Sequence, residues 1–346
     1  HPDLAAKIWT NTHEIPSNGV DDDHNGYVDD VRGWDFVNWD NYPMDDHEIY
    51  HGSVVSGIAA ASSNNGIGIA GVSWGSRIMP LKVINAEGYG LEDDAATAAI
   101  YAVDMGAKVI NMSFSGEDAP MLHSAVDYAW EHGAICVCAT GNDGRLKVTY
   151  PASYEHALAV GATDEYDERW VTIDMFGQIV GSNYGSYLDV MAPGNFIVST
   201  SRFLVDLGLA YEPYDTESGT SAAAPFVSGA AALVWSVHPD WTNAHVTFHI
   251  MHTADDINTT GWDIETGWGR VNAYRAVAET IVEPQTIGAV KQMTTYTSVM
   301  LKGKVLSTSS SDLPGRLYIQ DEDRSSGILL YFGGTVPAGL SAGQHI

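Results

Sequence analysis

Gly219-Thr220-Ser221-Ala222-Ala223-Ala224-Pro225 leads into a run of small and apolar residues, from Phe226 through Gly229, Ala230, Ala231 and Ala232 to Trp235. Small residues on nearly every side describe a helix packed all round, because they let neighbours approach closely. Thr220 and Ser221 fall where such a helix begins. Pro225 is expected within its first turn, where a missing N–H costs least. A helix N-terminus offers free backbone N–H groups and the positive end of a dipole, a setting that stabilises an oxyanion. Alone, the stretch reads equally well as a buried alanine helix with an incidental serine at its cap. Two upstream stretches decide between these readings.

In the first, His51-Gly52-Ser53-Val54-Val55-Ser56-Gly57, a histidine opens a small-residue helix. In the second, Ala139-Thr140-Gly141-Asn142-Asp143-Gly144, an asparagine follows a buried apolar strand. A serine nucleophile needs a base for its proton and donors aimed at the developing oxyanion. His51 can be the base, and the Ser221 N–H and Asn142 amide can be the donors. All three lie at the ends of strands or helices, where a catalytic constellation is assembled.

Between them, apolar runs alternate with helical patterns. Strands are expected at 78–83, 107–112, 134–139 and 157–160. Helices are expected at 52–61, 91–105, 120–132, 220–236, 243–253 and 272–281. Strands this continuously apolar are buried on both faces, and each intervening helix supplies a crossover. The pattern predicts an α/β fold, a three-layer doubly wound and mostly parallel sheet with helices on both faces. Ligands then bind beyond the carboxyl ends of the strands. Cys136 and Cys138 alternate on one strand, so they share a face and read as buried thiols. Near Glu283-Pro284 the character changes to short strand-like segments around Val299, Leu301, Val305, Leu317, Ile319, Ile328 and Leu330. The expected domains are therefore 1–282, a catalytic domain, and 283–346, a partial β-rich accessory domain. The pair Leu317–Glu322 and Gly327–Leu330 resembles strands of an OB-like barrel, a platform for a polysaccharide or surface partner.

Sixteen basic residues against 44 acidic ones give a formal net charge of −28. Such a surface repels nucleic acid and anionic membranes. No apolar run is expected to span a membrane. Asp21-Asp22-Asp23-His24-Asn25-Gly26-Tyr27-Val28-Asp29-Asp30 sets oxygens at alternate positions before a glycine, as a calcium loop does. Asp21, Asp23, Asn25 and Asp30 are its candidate ligands. It is not an EF-hand, because Arg32 stands at the twelfth position, where that loop needs a chelating glutamate.

Together these motifs resemble the subtilisin-like serine proteases, the thermitase-like secreted branch in particular. The likeness runs from His1 to about Ile281. The family's usual His-Gly-Thr-His-Val-Ala-Gly is matched by His51–Gly57 with Ser53, Val54 and Ser56 as departures. Its Gly-Thr-Ser-Met-Ala-Xaa-Pro is matched at 219–225 with Ala222 replacing methionine. The resemblance implies a secreted, extracellular and monomeric serine endopeptidase acting on polypeptide, with His51, Ser221 and Asn142 as its catalytic groups. It implies that Gly88-Tyr89-Gly90 and Ser113-Phe114-Ser115 sandwich the substrate backbone. Ala139-Thr140-Gly141 and Tyr150-Pro151-Ala152 would line the primary specificity pocket, narrowed by Ser115, where relatives carry glycine. Calcium is the implied cofactor: Asp3 with Asn65 and the loop Ser63, Ile67 and Ile69 around one ion, and Asp35 with Asp40 at a weaker one. The family's catalytic aspartate belongs to an Asp-Thr-Gly strand end upstream of His-Pro-Asp-Leu, so the chain is expected to be a fragment that lacks it. The rival expectations are a catalytically impaired scaffold that binds peptides, and a protein whose role lies in its β tail.

Overall fold

In the computed structural model, the described residues are 1–47, 49–201, 213–279, 304–306, 316–321 and 327–331. The chain divides into two compact units, His1–Ala278 and Glu279–Ile346.

In chain order the first unit contains β1 (Trp34–Asp35), α1 (His51–Ala60), β2 (Leu81–Lys82), α2 (Glu92–Asp104), β3 (Val109–Met112), α3 (Pro120–Glu131) and β4 (Ile135–Ala139). There follow β5 (Ala157–Thr163), β6 (Val171–Ile173), β7 (Ile179–Gly181), β8 (Val190–Pro193), β9 (Ile197–Thr200) and β10 (Tyr214–Glu217). The unit ends with α4 (Thr220–Val237), α5 (Asn243–His252) and α6 (Ala273–Ala278). Strands β3-β4-β5-β8 form a parallel sheet in that order.

Side-chain alternation along β4 explains the layering. Ile135, Val137 and Ala139 point to one face and pack with Ala223, Val227 and Ala231 of α4 and with Val246 and Ile250 of α5. Cys136 and Cys138 point to the other face and pack with the alanine-rich sides of α2 and α3. Both cysteines are buried free thiols. Burial raises both thiols, so neither ionises at neutral pH. The three-layer α/β fold expected from the alternating pattern is the one observed.

The structure corrects several local expectations. The segment 78–83 pairs as a strand only over Leu81–Lys82, against β1. On its other side lies a cavity of about 1040 Å³, bounded by the alanine face of α2 and the open edge of β3. Pro225 lies inside α4, beyond the first turn. A proline there cannot donate to the carbonyl four residues back, that of Ser221. The Ser113 hydroxyl donates to that carbonyl instead, at 2.8 Å. Helix α4 also has the length and mean hydropathy, 1.3, of a membrane span, contrary to the expectation that no run does. It is 67% buried inside the protein, which marks it as the core helix of the fold.

In the second unit, β11 (Lys304–Leu306), β12 (Arg316–Asp321) and β13 (Gly327–Tyr331) form an antiparallel sheet in sequence order. The register places Ile319 opposite Ile328 and Leu317 opposite Leu330. Val299, Leu301 and the remainder of the expected OB-like barrel lie outside the described residues.

Candidate active site

Gly219 precedes α4 with φ +146° and ψ 172°, and a Cβ there would sit 2.9 Å from the Asn142 Nδ2. Glycine is therefore required for the asparagine amide to approach the helix start. Asn142 Oδ1 accepts from the Thr220 N–H and the Thr220 hydroxyl, both at 2.9 Å. Thr220 Oγ1 in turn accepts from Gly141 N–H at 3.1 Å. With its oxygen held twice, the amide sets its N–H₂ against Gly219, the residue before the helix that carries Ser221. The sequence reading missed Thr220 as the group that sets this orientation, although it stands inside the quoted motif.

The Ser221 hydroxyl donates to the Ser113 carbonyl at 3.0 Å. Ser113 therefore touches the nucleophile candidate through two hydrogen bonds, one to its backbone and one from its side chain. Ser115 Oγ would lie 3.1 Å from a Cβ on Gly141, so the serine side chain stands against the Thr140–Gly141 wall. The wall is braced from behind, since Thr140 O accepts from Thr149 Oγ1 at 2.7 Å and from Asn183 Nδ2 at 3.0 Å. Gly116 and Tyr150 exchange backbone hydrogen bonds at 2.8 and 3.2 Å and join the two sides. Ala139 and Ala152 are buried beneath. Gly88, Tyr89 and Gly90 form a tight turn in which Asn85 Oδ1 accepts the Tyr89 N–H at 2.9 Å. Tyr89 is exposed, and Phe114 packs into the core on the α2 side of the sheet.

His51 is the first residue of α1, which packs against α4 through Val54, Ile58 and Ala222. Its ring makes no hydrogen bond to Ser221 or to a carboxylate among the described residues. Burial lowers its pKa, the Asp45 carboxylate opposes that, and His47 adds to it. His51 is therefore neutral at pH 7, the state a general base needs. Asp45 Oδ2 also accepts the Ser53 N–H at 2.6 Å, which fixes this carboxylate at the α1 N-terminus. His51, Asp45, Asn111 and Ser228 all border the cavity beside β3.

The acidic loops separate into two clusters. Asp3 is fully buried, and its carboxylate accepts from Asn65 Nδ2 at 2.6 Å, Ile69 N–H at 3.1 Å and Tyr214 OH at 2.9 Å. The loop carrying Ser63, Asn65, Ile67 and Ile69 thus wraps the carboxylate. Glu14, Asp21 and Asp23 bring ligand oxygens within 4.8 Å of one another. Glu14 was not among the sequence candidates. It comes from seven residues upstream and is held by N–H groups of Asp22, Asp23 and Asp29. Of the two other residues assigned to that loop site, Asp30 is directed elsewhere: buried, it accepts from Asn11, Asn25 and Tyr101. Asn25 spends its amide on Asp30 and its oxygen on the Tyr27 N–H. At Asp35, expected with Asp40 at a weak calcium site, the neighbouring cation is Lys82, whose Nζ lies 3.1 Å from Asp35 and 2.7 Å from Asp46. The ammonium supplies a positive charge to the buried Asp35 carboxylate.

Comparison with known proteins identifies the family. Residues 1–269 match the model of the subtilase family, Peptidase S8. The chain is 42% identical over 248 residues to the thermophilic serine proteinase of Bacillus sp. strain AK1, covering 71% of this chain and 56% of the relative. It is 38% identical over 280 residues to thermitase of Thermoactinomyces vulgaris, covering 80% and 84%. Among solved structures, fervidolysin of Fervidobacterium pennivorans, described as a keratinolytic enzyme related to subtilisin, aligns with a TM-score of 0.63 at 25% identity. That alignment covers 96% of this chain and 47% of fervidolysin. With its histidine, asparagine and serine motifs carried on this α/β framework, the chain belongs to the subtilase family of serine peptidases.

Proposed function

We propose that the first unit is the peptidase domain of a serine endopeptidase that cleaves polypeptide through an acyl-enzyme on Ser221. The carrying observation is the Thr220-held Asn142 amide at the start of α4, next to Ser221. Ser221 Oγ attacks the scissile carbonyl and its proton passes to His51. The oxyanion is met by the Asn142 amide and the Ser221 N–H. As the C–N bond breaks, the proton goes from His51 to the departing amine, and water attacking the ester repeats the sequence. Substrate is held in extended form between Ser113–Ser115 and Gly88–Gly90, with main-chain pairing giving breadth of sequence. Ser115 against Gly141 narrows the pocket for the side chain before the cleaved bond. Labelling of the full-length protein with a fluorophosphonate tests the reading. An adduct on Ser221, lost in Ser221→Ala, is expected; no adduct on the parent protein would leave a peptide-binding scaffold.

His51 still needs a carboxylate to fix its tautomer and stabilise its cation. We place this group on an Asp-Thr-Gly strand in the cavity between β2 and β3, because His1 and Leu4 lie on the cavity wall and His51 opens into it. Loss of such a carboxylate alone costs on the order of 10⁴ in turnover. Extending the chain upstream by that strand is expected to raise turnover on a chromogenic peptide by several orders of magnitude. Equal activity with and without it would assign the role to another carboxylate.

The oxygens that Glu14, Asp21 and Asp23 bring together on acidic loops suit calcium, and an ion at Asp3 would displace the Asn65, Ile69 and Tyr214 donors that hold its carboxylate. Bound there, the ion would tie these loops to the core and take no part in the chemistry. The family setting and the acidic surface support an extracellular location, and residues 283–346 are read as an accessory domain for a surface or polysaccharide.

A further inference from the structure

Strands β6 and β7 form a hairpin whose outward face is apolar and exposed among the described residues. Ile173 stands directly opposite Ile179 in the register, and they are 69% and 63% exposed. At the tip, Met175 and Phe176 are 90% and 79% exposed. The turn that presents them is well formed. Asp174 Oδ1 accepts the N–H groups of Phe176 and Gln178, both at 2.8 Å, and Asp174 N–H donates to Gln178 O at 2.9 Å. Val180 anchors the inner face on the main core. Four large apolar side chains held outward on one small hairpin mark a surface that meets a partner.

The hairpin grows directly from the catalytic rim. Gly181 N–H donates to Asn142 O at 3.1 Å, and Gly144 N–H donates to Gly181 O at 2.7 Å. A Cβ on Gly144 would lie 2.9 Å from Ile179 Cγ2, so the apolar face abuts the loop that carries Asn142. The same loop begins at Gly141, against Ser115. Ser115 and Ile179 therefore flank Asn142 from opposite ends of one short stretch. If Ser113–Ser115 hold the residues leading up to the cleaved bond, the hairpin lies on the side from which the leaving chain departs.

We infer that this hairpin is a docking surface for the apolar side chains of the polypeptide substrate C-terminal to the scissile bond, which favours unfolded chains rich in large hydrophobic residues. The inference rests on Ser221 as the nucleophile. Its test uses full-length enzyme and three substrates: a peptide ending in a p-nitroanilide at the cleaved bond, a quenched peptide continuing with four Ser and Gly residues, and one continuing with Leu and Phe. The parent enzyme is expected to prefer the apolar extension. Met175→Ser/Phe176→Ser, and separately Ile173→Thr/Ile179→Thr, are expected to lower kcat/KM on that substrate by about fivefold or more, mainly through KM. The other two substrates are expected to change less than about twofold. An equal loss on all three substrates, or no loss on any, would overturn the docking role. So would a concentration-dependent dimer that both variants abolish without a kinetic effect, which would make the hairpin a contact between copies. A parent enzyme that cleaves none of the three would remove the nucleophile assignment and this inference with it.

Discussion

Ser221, His51 and Asn142 could be singled out in the sequence because each sits at an element end within a short, distinctive motif. What orients them could not. Thr220 acts through three hydrogen bonds that join residues 78 or more positions apart. Thr220→Val keeps the backbone N–H but removes the hydroxyl, so the Asn142 amide loses one of its two anchors. Turnover is expected to fall about tenfold with KM little changed, below the roughly 10²–10³ loss for deleting the donor itself in Asn142→Ala. A KM rise matching the fall in kcat would point to substrate binding instead. The environment of His51 gives a second prediction with opposite signs for two neighbours. Asp45 raises the His51 pKa and His47 lowers it. Asp45→Asn therefore keeps His51 neutral to lower pH and moves the acid limb of kcat/KM down, whereas His47→Ala moves it up. Shifts of the same sign in both variants would show that the limb belongs to another group.

At the scale of elements, the limits of the first five helices in the sequence agree with the structure within a residue because apolar spacing is local, whereas the helix expected at 272–281 is seen only over Ala273–Ala278. Strands β3, β4 and β5 were legible as continuous apolar runs, a consequence of burial on both faces. Strand β2 was overextended in the sequence reading, since apolar character does not reveal whether a ladder partner is present on each side. Lys82 shows the same limit. Its ammonium is nearly buried between Asp35 and Asp46. Burial alone would lower its pKa, but the bonds to Asp46 and Asp35 raise it overall. Asp35 is pushed up by burial and more than compensated by Asn38 and Lys82. Lys82→Met leaves the buried Asp35 without its cation and is expected to cost about 3 kcal/mol, read from denaturant unfolding. Millimolar calcium is expected not to restore it. Recovery by calcium would mean that Asp35 and Asp46 form an ion site after all.

Over the whole molecule the acidic excess makes the folded state sensitive to both cations and protons. Calcium bound at the proposed Glu14–Asp21–Asp23 or Asp3 site would favour the folded state by about 2.7 kcal/mol per site at a hundredfold excess over its dissociation constant. Melting in EGTA and in millimolar calcium is expected to give separated midpoints, with the gap narrowed by Asp21→Asn and by Asp3→Asn; coincident midpoints would remove calcium from the account.

Protons act at Asp189, which leads into β8 and accepts the Ala159 N–H at 2.8 Å from the heart of the parallel sheet. Burial pushes its carboxyl up to about 7, against a single opposing hydrogen bond. An acid whose folded pKa exceeds its unfolded value, about 3.9, holds its proton more tightly when folded. Its contribution to stability is complete below about pH 3.9 and is lost as pH rises toward 7, by at most about 1.4 kcal/mol per pH unit. Asn at this position can still accept from Ala159 and never ionises. Asp189→Asn and the parent are therefore expected to melt together near pH 4. The variant becomes progressively the more stable between pH 4 and 7, and the difference stays constant above that. Comparing the two proteins at each pH cancels the titration of the other carboxylates. A gap that is independent of pH would mean that Asp189 is already ionised in the fold, compensated by a group that the sheet brings to it.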